Sequence, residues 1–472
     1  MTSKVDNIFI GSAIHWNLEA DQIEYIEQAA ITVQDGKITE FSSDANHIDH
    51  LQSSQSDCVT LLSSTQFLIP GFIDAHIHAP QYPNLGLGVD LPLLKWLDKY
   101  IFALERKFKD LEFAKDVYTK LVDKMIAHGT TTACYFGTIH TDSCLLLADI
   151  VHARGQRALV GKVNMTVNCP QDYGETLQES LDETERFVTE MKKKNYSSVQ
   201  PVITPRFAVT CEMAALQGLA QIASKHDLPI QTHLSENVDE IATVLKMNPD
   251  CRTYTEVYER AGLLTKKTIL AHSIHLSDQE LAVIWQHGAS IVHCPSSNCF
   301  LQSGACDTVR TMYRGVNIAL GTDMGAGYSP SILEVMRRSV DVSSVLTSCR
   351  IKEKEEAASK RKCSGMKNQD EVENKMSPGI ALRPPLNFER AFQFATLGGA
   401  RALNLADKVG NFSVGKQFDA LLVNLDSVDS PVDFTAGLKL QEKFLKFFFT
   451  GDDRNIERVY VNGKLVLNKS PS

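Results

Sequence analysis

Gly71-Phe-Ile-Asp-Ala-His-Ile-His78 is a short apolar run that ends on two histidines one residue apart. Seven further runs of the same character follow it: 130–136, 157–163, 200–206, 229–233, 268–272, 289–294 and 317–323. Longer segments with helical patterning separate them. β-type runs alternating with helical segments are the pattern of repeated βα units around a parallel sheet. Eight such units in about 250 residues fit an α/β fold of the (β/α)8 TIM-like barrel type better than an open sheet.

Working outward, both ends of the chain read as β-rich. Ala29–Gln34 and Lys37–Phe41 flank Asp35-Gly36, and Arg458–Val461 and Lys464–Leu467 flank Asn462-Gly463. Asp-Gly and Asn-Gly between such runs signal two-residue hairpins, because both turn positions take positive φ. The expected layout is a small β-sandwich built from residues 1–69 and 406–472, enclosing a barrel over 70–405. Residues 350–384 interrupt the barrel rhythm, and within Lys352–Lys375 charged residues dominate. This insert reads as a solvated loop or frayed helix. Gly410–Gln417 nearly spells a phosphate-binding loop. Gln417 stands where magnesium binding needs Ser or Thr, and a strand-type run follows instead of a helix.

The chain has 472 residues, enough for roughly three domains or for one barrel with an appendage. With 48 Lys plus Arg against 57 Asp plus Glu, the net charge of −9 argues against nucleic acid or an anionic membrane as partner. The N-terminal stretch lacks a basic segment followed by an apolar one, and no run of about 18 apolar residues occurs. The 11 cysteines are scattered through apolar segments, which suggests a reducing cytosol.

The chemistry lies at the C-terminal ends of the runs, the face on which such barrels carry their active sites. His76 and His78 point to the same side of one strand, since i and i+2 share a face. His233 ends the fifth run, His272 the sixth and Asp323 the eighth, so all five meet at one mouth. Imidazoles with a carboxylate suit zinc, and iron is compatible with the same ligand types. Glu236, three residues beyond His233, is placed to shuttle protons beside such an ion. A helix N-terminal charge is the alternative for that residue. His140 and His293 lie near the mouth with weaker support, and Cys294 and Cys299 read as strand-end residues.

Taken together, Pro70–His78, His233, His272 and Gly321-Thr322-Asp323 resemble the amidohydrolase superfamily. His78-Ala-Pro-Gln-Tyr82, Asp90–Leu97, Gly129–Asp142, Thr204–Phe207, His293–Asn298 and Gly451–Asn455 narrow the resemblance to members that act on guanine. The fourth run ends Thr204-Pro205-Arg206, whereas two-metal members carry a carbamylated lysine there, so the resemblance implies one ion per subunit, taken as Zn2+. It makes His76, His78, His233 and Asp323 the metal ligands and places His272 behind them, against the attacking water or the substrate. Gln81, Arg206 and Phe207 become substrate contacts, joined by His78, His233, Glu236 and Asp323. Arginine suits a carbonyl oxygen, glutamine both donates and accepts, and phenylalanine offers a stacking face. Trp96 fits either a core position or a pocket wall.

The implied activity is hydrolytic deamination of guanine to xanthine and ammonia, with Glu236, Asp323 and His272 catalytic. The resemblance also implies a cytosolic homodimer serving purine catabolism. Two rivals remain at this point: a mononuclear hydrolase of another heterocycle (a triazine, cytosine or adenosine), and a non-catalytic scaffold for a partner such as a cytoskeletal protein. Some relatives end in an apolar residue suited to PDZ capture. The C-terminal Ser470-Pro471-Ser472 departs from that pattern.

Overall fold

The computed structural model describes residues 5–53, 58–88, 90–364, 383–433, 435 and 437–470. It is an α/β fold whose parallel strands follow the eight runs. The first strand, Phe72–His78, pairs with Thr130–Phe136, which pairs with Arg157–Gly161 and then Val199–Pro201, all parallel. A second parallel set runs Ile230–Leu234, Thr268–His272, Ser290–His293 and Asn317–Leu320. A parallel bridge between Ile203 and Ile230 links the two sets on one side, and the Asp323 N–H donates to His76 O (2.9 Å) on the other. The strands are buried along almost their whole length, as parallel strands covered on both faces must be.

Two of the expected runs are interrupted. The third divides into Arg157–Gly161 and Val163–Asn164, and the fourth into Val199–Pro201 and Thr204–Pro205. The second halves pair with each other instead of continuing the main ladder, Thr204 opposite Val163 and Pro205 opposite Asn164. Pro201 and Pro205 donate no backbone hydrogen bond, which favours a break there. One other expectation is corrected. Cys299 lies within a short helix, Pro295–Phe300, and is not a strand-end residue. The helix Ile332–Ser364 extends through the first part of the charged insert. Residues 365–382 of that insert lie outside the described residues, as do Pro471 and Ser472 at the C-terminus.

Strands from both ends of the chain form one hydrogen-bonded sheet of eight strands. Both hairpin turns have the expected left-handed residues, Asp35 (φ 50°) and Gly36 (φ 74°), then Asn462 (φ 51°) and Gly463 (φ 73°). The sheet curls so that these turns meet: Phe418 N donates to Gly36 O (2.9 Å), and Gly463 N donates to Phe418 O (2.9 Å). Phe9, Phe418 and Tyr460 pack inside the curl, with ring centroids 4.9–5.6 Å apart.

This sheet is pinned to the parallel strands by a buried ion pair. Arg157 holds both carboxylate oxygens of Asp419 at 3.2 and 3.0 Å, and Asp419 also accepts from Asn462 N (2.7 Å). The Asp419 carbonyl accepts from Gly71 N (3.0 Å), at the entry to the strand that carries His76 and His78. Removing one partner of a buried pair strands the other charge, at a cost of about 3–5 kcal/mol. Asp419→Ala is therefore expected to lower the urea unfolding midpoint by that equivalent. A loss below about 1 kcal/mol would show that the pair does not couple the two sheets.

Candidate active site

The first strand delivers His76 and His78 side by side, and an acid behind them fixes their backbone. Asp74 is fully buried and accepts from His76 N (3.3 Å), Thr322 N (3.0 Å) and Thr322 Oγ1 (2.5 Å). Burial pushes the Asp74 carboxyl up to about 7 against these hydrogen bonds. Asp74 thus clips the first strand to the loop that presents Asp323. That loop is strained, with Asp323 at φ 46°, and His272 sits at φ 65°. Left-handed backbone at non-glycine residues costs of order 1–3 kcal/mol each and persists where surrounding contacts fix it.

Five donors converge there. Nitrogen or oxygen atoms of His76, His233, His272 and Asp323 lie within 4.8 Å of one another. His78 Nε2 adds a fifth, 3.0 Å from His233 Nε2 and 3.5 Å from Asp323 Oδ1. His76 Nε2 is 3.3 Å from Asp323 Oδ1, and His272 Nε2 is 3.8 Å from Asp323 Oδ2. Two atoms bound tetrahedrally to one zinc ion stand about 3.4 Å apart, so these separations match a shared ion.

The hydrogen-bonding pattern fits a cation as well. His233 Nδ1 donates to Arg206 O (2.6 Å), leaving Nε2 as a lone pair aimed at the cluster. His272 Nδ1 donates to Asn298 Oδ1 (2.8 Å), so the lone pair of its neutral ring is likewise on Nε2. Such outer contacts on the far ring nitrogen are how metal-binding histidines are oriented. His76 Nε2 and His272 Nε2 are buried and lack a hydrogen-bond partner among the described residues. Phe136 packs on His76, His78 and His233 at 4.6–4.9 Å between centroids and keeps water from that side.

Burial depresses the pKa of His76, and of His78 and His233 far more, so their neutral, ligating forms are favoured. Burial alone would raise Asp323. The close approach of His76, with His272 and His78 around the same carboxyl, outweighs burial and holds Asp323 well below its usual range. Glu236 behaves oppositely: burial, then the Asp323 charge, pushes it well above the ordinary carboxyl value. Its carboxylate lies 3.5 Å from His272 Nε2. Glu236 rides on a turn held by the next helix, where Glu240 accepts from Glu236 N (2.8 Å) and Asn237 N (3.0 Å).

The donors open into a cavity that Gln81, Trp96, Arg206 and Phe207 also line, so every predicted site residue but His76 borders it, and His76 lies behind with the ligand cluster. Trp96 is 2% exposed and serves as both core and wall. His293 is buried and stands outside the donor cluster. Sequence reading missed three supports: Asn298, Phe136 and the fully buried Glu105. Glu105 accepts two bonds from Arg206 (2.6 and 3.2 Å) and one from Gln81 Nε2 (2.9 Å). Asn298 and Phe136 sat inside motifs whose other residues drew attention. Glu105 lies on a helical turn, Phe102–Glu105, in a segment without a motif.

Barrel-type parallel strands carrying a convergent His/Asp cluster define a class, the metal-dependent hydrolases. The amidohydrolase family model matches residues 67–466. Guanine deaminase from Mus musculus is 46% identical over 416 residues, covering 87% of this chain and 85% of that protein. Guanine deaminase from Homo sapiens is 43% identical, covering 99% and 98%. The crystal structure of guanine deaminase from C. acetobutylicum, with bound guanine in the active site, superposes with a TM-score of 0.84 at 34% identity and covers 98% of this chain and 100% of that one. The chain belongs to the amidohydrolase family and, within it, to the guanine deaminases.

Two outcomes check the site. His233→Ala should abolish stoichiometric metal, measured by elemental analysis of the purified protein, because it removes a lone pair from the centre of the cluster. Asn298→Leu should keep the metal and lower kcat about 10–100-fold, the usual cost of losing a partner that orients a functional imidazole. Unchanged metal in the first or unchanged kcat in the second would contradict the assignment.

Proposed function

We propose that this chain deaminates guanine hydrolytically to xanthine and ammonia, using one zinc ion held by His76, His78, His233 and Asp323. The observation that carries the reading is Glu236: a buried carboxyl with a raised pKa, beside the donor cluster and lining the same cavity as Arg206 and Phe207. The guanine-bound relative adds the substrate. When bound, the ion supplies Lewis acidity and makes water acidic enough to lose a proton near neutral pH.

The protein's own groups then divide the labour. Arg206 donates to the ring carbonyl, Gln81 bonds the adjacent edge, and Phe207 covers a face of the base. Asp323, held ionised by its histidines, accepts the proton from the attacking water. His272 Nε2, set by Asn298, holds the attacking oxygen against the amino-bearing C2. The family resemblance gives His272 this role instead of ligation, and its Nε2, 3.5 Å from the Glu236 carboxylate and 3.8 Å from Asp323 Oδ2, is placed to reach an oxygen between those two acids. Glu236 protonates the neighbouring ring nitrogen as C2 becomes tetrahedral, then assists the departure of ammonia.

The same reading takes the parallel strands as a closed (β/α)8 barrel over 70–405, with the terminal segments 1–69 and 406–472 as a two-layered sandwich. It also takes the protein as a cytosolic homodimer acting in purine catabolism. Among the described residues, no helix is long and apolar enough to cross a membrane. Glu236→Gln should retain the metal and lose about 10²–10⁴-fold of guanine turnover, followed by ammonia release. Turnover within a few-fold of the parent would refute the proton-shuttle role. Faster ammonia release from adenine or cytosine than from guanine would refute the substrate.

A further inference from the structure

Glu105 is the most heavily bonded acid near the cavity, yet its carboxylate has no lone pair left for a substrate. It is fully buried and accepts from Arg206 Nη1 (2.6 Å), Arg206 Nη2 (3.2 Å), Gln81 Nε2 (2.9 Å) and Tyr173 Oη (2.9 Å). A carboxylate offers about four acceptor sites, so these four donors saturate it. Phe102, on the same helical turn, packs under the Arg206 guanidinium at 5.3 Å.

This saturation dictates how Gln81 faces the cavity. An ionised carboxylate only accepts, so the Gln81 amide must turn its NH2 toward Glu105. Its Oε1 is left buried and without a protein partner among the described residues, on a side chain that lines the cavity. Gly325 (φ 120°) leaves room for that oxygen, since a Cβ there would overlap Gln81 Oε1. Arg206 is pinned by its two terminal nitrogens and keeps further N–H donors. The pocket wall therefore offers one acceptor, Gln81 Oε1, beside one fixed donor group, Arg206.

We infer that Glu105 is a positioning residue that sets the hydrogen-bonding polarity of the base pocket, selecting rings that carry a carbonyl next to an N–H over rings that carry an amino group next to a bare nitrogen. The inference rests on the guanine reading and deepens it. A base with the opposite pattern would set donor against donor at Arg206 and leave Gln81 Oε1 facing a lone pair. Sites built on such buried polar contacts discriminate strongly.

Glu105→Gln tests this, because an amide offers one acceptor where four donors converge and frees Gln81 to rotate. With metal content confirmed, KM for guanine should rise at least about tenfold, with a smaller change in kcat. Preference for guanine over 2,6-diaminopurine, in which an amino group replaces the carbonyl, should fall by a similar factor. Glu105→Asp keeps the charge but draws it back by about 1.5 Å, and should shift both quantities in the same direction by less. It also serves if the glutamine variant does not fold. A folded, metal-loaded variant of either kind with parental KM and preference overturns the inference, even if its melting temperature has dropped. Metal-loaded parent protein that releases no ammonia from guanine would instead strike the functional reading, and is scored separately.

Discussion

Several imidazole nitrogens and a carboxylate face one another inside this protein, an arrangement that a shared cation would stabilise and that requires the other polar atoms of the set to be tied down. The rest of the structure serves that constraint. His233 and His272 give their Nδ1 protons to Arg206 O and Asn298 Oδ1, so their free nitrogens point inward. Asp74 ties the strand bearing His76 and His78 to the loop bearing Asp323 through Thr322. Phe136 seals the back of three imidazoles. Left-handed backbone at His272 and Asp323 is tolerated because these contacts over-determine it.

A second buried charge system stands beside the first. Glu105, Arg206, Gln81 and Tyr173 form a network in which the carboxylate is saturated and no substrate is needed to balance its charge. The two systems meet at Arg206, whose carbonyl orients His233 while its side chain lines the cavity. A fourth-run segment broken after Pro201 and ending at Arg206 is what lets one residue serve both.

The alternation of short apolar runs and helical segments made the parallel strands legible, and period-two geometry placed His76 and His78 on one side. Strand-end position then gathered His233, His272 and Asp323. What pattern could not show was three-dimensional: the break of the third and fourth runs depends on pairing between their second halves, and Glu105 reaches the site from a helical turn about 100 residues before Arg206. A single buried acid on an apolar turn carries no local signature. The charge density of the insert left a loop and a frayed helix both open, since a segment with few apolar residues lacks the periodicity that tells them apart; the helix to Ser364 decides for the second over its first part.

The proposed chemistry requires one metal ion held by this histidine and aspartate cluster. Metal-free protein titrated with Zn2+ while ammonia release from guanine is followed tests it directly. Activity should rise from background in proportion to added metal and reach its plateau at one ion per chain. A plateau at two ions per chain, or full activity before any metal is added back, would contradict it.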